Sequence, residues 1–250
     1  MSVDVLPGCE AYSHRGSDAG VLVLHGFTGN PTTMRALAGR AVAAGYGVEM
    51  PRLPGHGTSV EDLATTSWGD WTAEAEAAYD RLAARSERVA VVGLSMGGGL
   101  SAHIAEVRPS VAGCVLINPT LTPPPVEIVD GVTALLEAGL ESYESIGSDI
   151  KKEGVAEASY DATPLRPLAS LFEGLVTVRE NLRRITAPCL LITSREDHTV
   201  NWENGDDLVA RAQGAVERVW LENSYHVATL DHDADLVESL TLAFLARVLA

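Results

Sequence analysis

The chain has 250 residues, 46% of them hydrophobic and 21% charged, with a formal net charge of −16 at pH 7. That length suits one α/β domain with room for an insertion, and the composition is that of an ordinary globular chain. The acidity argues against nucleic acid and anionic membrane surfaces as partners, and no apolar run reaches the ~18 residues of a membrane span.

Residues 1–19 read as irregular, with at most a short edge hairpin. They show neither a basic n-region nor an apolar h-region, so no secretory signal is expected and the location reads as cytoplasmic. Cys9, Cys114 and Cys189 do not make a disulfide framework; two lie in apolar strand patterns and read as core thiols of a reducing compartment.

Val21 to Leu24 is a continuous apolar run, the pattern of a strand buried on both faces. It ends in a turn-rich loop, His25 to Pro31. Asn30 as N-cap and Pro31 at the first helical position predict a helix to about Ala44, stopped by Gly45. Tyr46 to Met50 reads as a second strand, and Pro51 to Gly57 as irregular. Ser67 and Asp70 resemble a capping box. The helix they open carries Trp71, Ala75, Ala78, Tyr79 and Leu82 at helical spacing.

Arg88 to Val92 is a short β-branched strand, and a helix pattern begins after Gly97. Between them stands Gly93-Leu94-Ser95-Met96-Gly97, the G-x-S-x-G form of a nucleophile elbow. So sharp a turn strains Ser95 and thrusts its hydroxyl outward, while a Cβ at Gly93 or Gly97 would collide with the neighbouring strand or helix. The helix N-terminus offers free N–H groups and a positive dipole end to a developing oxyanion. The bland alternative is a glycine-rich turn; partners downstream decide.

Gly113 to Ile117 is the next strand, and alternation then breaks at Asn118. From Thr120 to about Leu175 a proline-containing lead and two or three short helix-like segments follow, with no clear strand. This reads as an insertion, residues 120–175, in a core made of 1–119 and 176–250. Alternation resumes with a strand at Cys189–Thr193, a helix at Asp206–Ala212, a strand at Glu217–Leu221 and a terminal helix at Ala234–Val248. The predicted fold is α/β, a doubly wound, mostly parallel sheet interrupted by a lid.

A serine hydroxyl becomes a nucleophile when a base takes its proton, and that base is usually a histidine held by a carboxylate. In open α/β sheets such groups sit at the carboxyl ends of strands. Asp197 follows the strand at Cys189–Thr193, and His226 follows the strand ending at Leu221. Glu196 and His198 stand as the competing acid and base. His14, His103 and His232 have no strand end beside them. Asp231, His232 and Asp233 are too close in sequence to converge on one metal ion. The oxyanion donors are expected to be the N–H groups of Met96 and of Phe27, in the loop after the first long strand. His25 reads as structural.

The order Ser95, Asp197, His226 and the stretches Leu24–Pro31, Pro51–Gly57, Gly93–Gly97, Ile146–Lys151, Ser194–His198 and Trp220–Asp231 resemble the bacterial monoacylglycerol lipases of the α/β-hydrolase superfamily, and more distantly bacterial carboxylesterases. The resemblance runs from about residue 21 to the end. It implies the α/β-hydrolase fold and a small mobile cap over an apolar acyl tunnel. It also implies a polar glycerol pocket, with Glu157 sensing the glycerol hydroxyls and Ile146 contacting substrate. Without it, Glu157 reads as a solvated charge on a helix and Ile146 as core. The implied activity is hydrolysis of a monoacylglycerol to fatty acid and glycerol through an acyl-enzyme. General carboxylesterase activity is the alternative, and a slow-turnover ligand-binding protein is the reading from another class. No metal or cofactor is expected. The expected partners are a lipid ester, a transient micelle or membrane contact through the cap, and at most a weak homodimer.

Overall fold

The computed structural model describes residues 4–145 and 147–250. Along the chain the strands are β1 (Tyr12–His14), β2 (Ala19–Leu24), β3 (Gly47–Met50), β4 (Arg88–Leu94), β5 (Gly113–Ile117), β6 (Ser142–Glu144), β7 (Ala162–Pro164), β8 (Cys189–Ser194) and β9 (Val216–Leu221). The α-helices are α1 (Arg35–Ala43), α2 (Val60–Leu63), α3 (Trp68–Ala83), α4 (Met96–Val107), α5 (Val126–Glu137), α6 (Leu165–Asn181), α7 (Asn204–Arg211) and α8 (Ala234–Val248).

Seven strands form one sheet in the order β1-β3-β2-β4-β5-β8-β9. All pairs are parallel except the edge pair β1 and β3. The continuous apolar runs have the burial they imply. Leu22 and Leu24 feed a core under α3, α4 and α6, while Val21 and Val23 feed a second core under α1 and α8. Such two-sided burial is what parallel strands require. Burying a large apolar side chain such as Leu22 or Leu24 contributes about 1.5–3 kcal/mol.

The order of strands places the site. From β2 the chain steps to β3 on one side and then to β4 on the other. The reversal point therefore lies between β2 and β4, and ligands bind outside the carboxyl ends of strands at such a point. The loop after β2 carries Phe27, and Ser95 follows the end of β4 at Leu94.

Several local expectations change. The helix after Asn30 opens as a 3₁₀ turn, Pro31–Met34, with the Asn30 side chain accepting from Thr32 N–H. Helix α4 starts at Met96 rather than after Gly97, because Ser95 itself is the N-cap. The segment after Asn118 does contain strand: β6 and β7 pair antiparallel across the insertion. Glu157 lies on irregular chain, not on a helix. Helix α6 runs unbroken past residue 175, with Leu165, Leu168, Leu171, Leu175 and Val178 buried.

Cys9, Cys114 and Cys189 are buried and unpaired with one another. Asp231 and Asp233 serve the backbone. Asp231 accepts N–H groups from Lys151, Lys152, Tyr225 and His232, and Asp233 accepts from Asn223. No helix among the described residues is long and apolar enough to cross a membrane.

Candidate active site

Strand β4 turns into α4 with Ser95 at φ 57° and ψ −121°, a left-handed conformation costly for a side-chain-bearing residue. The glycines explain how the turn closes. A Cβ on Gly93 would lie 2.0 Å from the Gly97 carbonyl oxygen, and one on Gly97 would lie 2.2 Å from that of Leu24. Ser95 N–H is anchored to Ile117 O at 3.0 Å, and Thr120 N–H to Ser95 O at 3.0 Å. The Thr120 hydroxyl lies 3.5 Å from Ser95 Oγ.

The loop after β2 packs against this turn. A Cβ on Gly26 would sit 3.3 Å from Ser95 Cβ. Beside it, His25 is fully buried, with Nδ1 2.9 Å from Gly26 O and Nε2 accepting Leu53 N–H at 3.2 Å. Burial pulls its pKa down to about 4, so the ring is neutral and holds the loop from within. The N–H groups of Phe27 and Met96 donate to no acceptor among the described residues. Met96, first in its helix, has no intrahelical partner for its N–H.

Asp197 and His226 come from the loops after β8 and β9. The structure brings them together: His226 Nδ1 lies 2.8 Å from Asp197 Oδ2. Their side chains are only 8% and 2% exposed, so the pair is shielded from water. Burial lowers the His226 pKa. The Asp197 charge and hydrogen bond, with Glu157 and Asp149 behind them, outweigh it and leave the imidazole above its ordinary value. The competing residues are engaged elsewhere. His198 Nδ1 lies 2.8 Å from Asp149 Oδ1, and Glu196 pairs with Lys151 Nζ at 2.9 Å.

Gly26, Phe27, Ser95, Met96, Asp197 and His226 line one cleft of about 1160 Å³. Its apolar wall comes from Ile128, Val132 and Leu135 on α5 and Leu168, Leu171 and Phe172 on α6. Its lining also includes the polar residues Thr28, Glu157 and Ser159. Glu157 reaches the loop after β2 so closely that a Cβ on Gly29 would lie 2.6 Å from Glu157 Oε1. Its carboxyl pKa is raised by burial, partly offset by His226. Among the described residues its carboxylate oxygens accept no hydrogen bond. Ile146, the other residue expected at the substrate, lies outside the described residues.

Asn118, Thr120 and Asp149 were not singled out from sequence. Asn118 sits at the carboxyl end of β5 with φ 41°, and the break in alternation marks its position. Its Nδ2 donates to Ser194 Oγ and to the carbonyls of Tyr225 and His226. Asp149 lies in the Ile146–Lys151 stretch, where the motif was visible but no role for it.

The model of the Alpha/beta hydrolase family matches residues 21–239. A thermostable monoacylglycerol lipase of Bacillus sp. (strain H-257) is 41% identical over 97% of this chain and 96% of its own length. A carboxylesterase of Bacillus subtilis (strain 168) is 28% identical over 95% of this chain and 96% of its own. A solved structure from work on the metagenome-derived lipolytic enzymes LipS and LipT superposes with a TM-score of 0.93 at 41% identity, covering 98% of this chain and 100% of its own. With family and relatives matched along nearly the whole length of the sheet, elbow and cleft, the chain belongs to the alpha/beta hydrolase family.

Proposed function

We propose that this protein is a serine hydrolase that cleaves monoacylglycerols to fatty acid and glycerol. The observation that carries the proposal is the shared cleft. A strained serine, a buried His–Asp pair and two free backbone N–H groups share one cleft with apolar side chains of α5 and α6 and with the Glu157 carboxylate. The 41% identity to a monoacylglycerol lipase supports the same substrate class.

Ser95 Oγ attacks the ester carbonyl. His226 Nε2 takes its proton, and Asp197 holds the opposite ring nitrogen and stabilises the imidazolium. The N–H groups of Phe27 and Met96 receive the oxyanion, each worth about 3 kcal/mol in the transition state. His226 then protonates the departing glycerol oxygen, and water activated by the same ring releases the acid. The acyl chain lies along α5 and α6, and Glu157 accepts hydrogen bonds from the glycerol hydroxyls. Residues 120–175 act as the cap over this site, with Ile146 contacting substrate. The exposed side chains of Val126 and Ile128 on α5 make a transient micelle contact, which for so acidic a chain must be apolar.

The test is kcat/KM on monoacylglycerols, diacylglycerols, triacylglycerols and simple alkyl esters of one acyl chain, with Ser95→Ala and Glu157→Ala alongside. A strong monoacylglycerol preference that Glu157→Ala abolishes is expected. Equal turnover of simple esters, indifferent to Glu157, would instead make this a general carboxylesterase, the activity named for the Bacillus subtilis relative. Full activity of Ser95→Ala would refute the mechanism.

A further inference from the structure

The loop that carries His226 has no ladder or helix to hold it: residues 222–230 form neither strand nor helix. Asp233 holds its start, accepting from Asn223 N–H and the Ser224 hydroxyl, and further hydrogen bonds reach it from two directions. From the sheet, Asn118 Nδ2 donates to Tyr225 O at 3.3 Å and to His226 O at 2.8 Å. From the cap segment, Asp149 takes the N–H groups. Its Oδ2 accepts His226 N–H at 3.2 Å, and its backbone oxygen accepts Val227 N–H at 3.1 Å.

The same carboxylate also reaches the loop of the acid. Asp149 Oδ2 accepts His198 N–H at 3.0 Å, and its Oδ1 lies 2.8 Å from His198 Nδ1. His198 follows Asp197 directly. One carboxylate thus spans the loops of both triad partners. A second carboxylate returns the connection: Asp231 accepts Lys151 N–H at 2.7 Å, Lys152 N–H at 2.9 Å and Tyr225 N–H at 2.9 Å. Residues 149–152 and 225–231 are interlocked by these reciprocal bonds. Backbone N–H donors to a carboxylate are strong, charge-assisted partners, and the Asp149 side chain is only 16% exposed.

We propose that Asp149 is a positioning residue for ester hydrolysis, bracketing the loops of Asp197 and His226 and so setting the base against Ser95. The inference rests on the serine mechanism proposed above and adds a part of the cap to its catalytic frame. If the cap moved as one body, Asp149 would leave with it and free the N–H of His226. An opening that keeps the base in place therefore spares residues 149–152 and is confined to the remainder of the cap, where α5 has only Val132 buried.

Asp149 also contributes charge. The charged groups facing His226 are Asp197 from the loop after β8 and Glu157 and Asp149 from the cap segment; Ser95 and Asn118, from the ends of β4 and β5, are neutral. Around His198 stand Asp149, Asp197 and Glu196, with the Tyr225 ring edge-on at 4.5 Å. Removing the Asp149 charge makes protonation of His226 harder, a consequence that a purely structural contact lacks.

The experiment compares Asp149→Asn, Asp149→Ala and Ser95→Ala on the p-nitrophenyl ester of a medium-chain fatty acid, measuring kcat and KM from pH 5 to 9, with thermal melts as a check on folding. Asparagine keeps an oxygen for the two N–H groups, so kcat is expected within a few-fold of the parent while the acid limb of the pH profile moves to lower pH. Alanine removes both bonds, and kcat is expected to fall about tenfold to a hundredfold with KM little changed, the cost of a misplaced catalytic group. A folded Asp149→Ala protein with parental kcat and an unmoved acid limb would overturn the proposal. If the alanine variant does not fold, an unmoved limb in Asp149→Asn overturns it instead. Turnover surviving Ser95→Ala would fell the serine mechanism itself, which separates that failure from failure of the Asp149 role.

Discussion

Asp197 divides its carboxylate between the backbone and His226. Its Oδ1 accepts the N–H groups of Thr199 and Val200 at 2.9 and 2.8 Å, and its Oδ2 lies 2.8 Å from His226 Nδ1. In Asp197→Asn the amide oxygen keeps the two backbone donors, which turns the NH₂ group toward His226. Nδ1 must then accept, the ring proton moves to Nε2, and Nε2 can no longer take the proton of Ser95. A loss in kcat of about 10⁴-fold is expected, with KM and melting temperature nearly unchanged. Steady-state kinetics on a soluble ester checks it.

Gly97 tests the elbow. A methyl group there would sit 2.2 Å from the Leu24 carbonyl oxygen, a backbone atom that cannot rotate away. Gly97→Ala must push α4 from β2 and move Ser95 relative to Phe27. Destabilisation above about 3 kcal/mol is expected, with loss of activity in whatever protein folds. Denaturant titration beside an active-site serine label reads both.

The pH profile follows from His226. The proposed mechanism needs its neutral form, and its pKa lies above the ordinary value. The acid limb of kcat/KM should therefore fall above pH ~6.5, not at it. Glu157 is one of the charges that raise it, so Glu157→Gln should shift the limb to lower pH. A limb below pH 6 in the parent protein would contradict the electrostatics.

Glu106 predicts a stability trend away from the site. It lies in α4 only 6% exposed, and its two carboxylate oxygens have no hydrogen-bond partner among the described residues. Burial pushes its pKa up to about 8, against some lowering by Arg184. The folded chain thus holds this proton more tightly than the unfolded chain. The stability it contributes is complete below the unfolded pKa of ~4.3 and is lost as pH rises through about 8. Glu106→Gln should melt within a few degrees of the parent at pH 5 and roughly 10–20 °C above it at pH 9. Melting curves at the two pH values decide this.

Much of this was legible in order along the chain. Strand β5 and helix α8 have the predicted bounds, and β4, β8 and β9 differ at their ends by one or two residues. Continuous apolar runs, caps and the elbow glycines are local signals. The β6–β7 pair was not legible: its first strand is three residues, all exposed, so no buried face leaves a pattern in the sequence. Asp149 was not legible either, because its partners lie 49 and 77 residues away.

The sequence by itself determined the alternating α/β order, the strained serine and the chain positions of Asp197 and His226. Each of these follows from sterics and hydrophobic periodicity acting over a few neighbouring residues. Only the tertiary structure decided which carboxylate meets which imidazole. Asp197 takes His226, and Asp149 takes His198 and the N–H of His226. It also decided that Glu157, on irregular chain, lies over Gly29 and lines the cleft. These pairings depend on the order of strands across the sheet and on where Asp149 and Glu157 come back to the strand ends. Both are set by burial summed over the whole core, which no local stretch of sequence records.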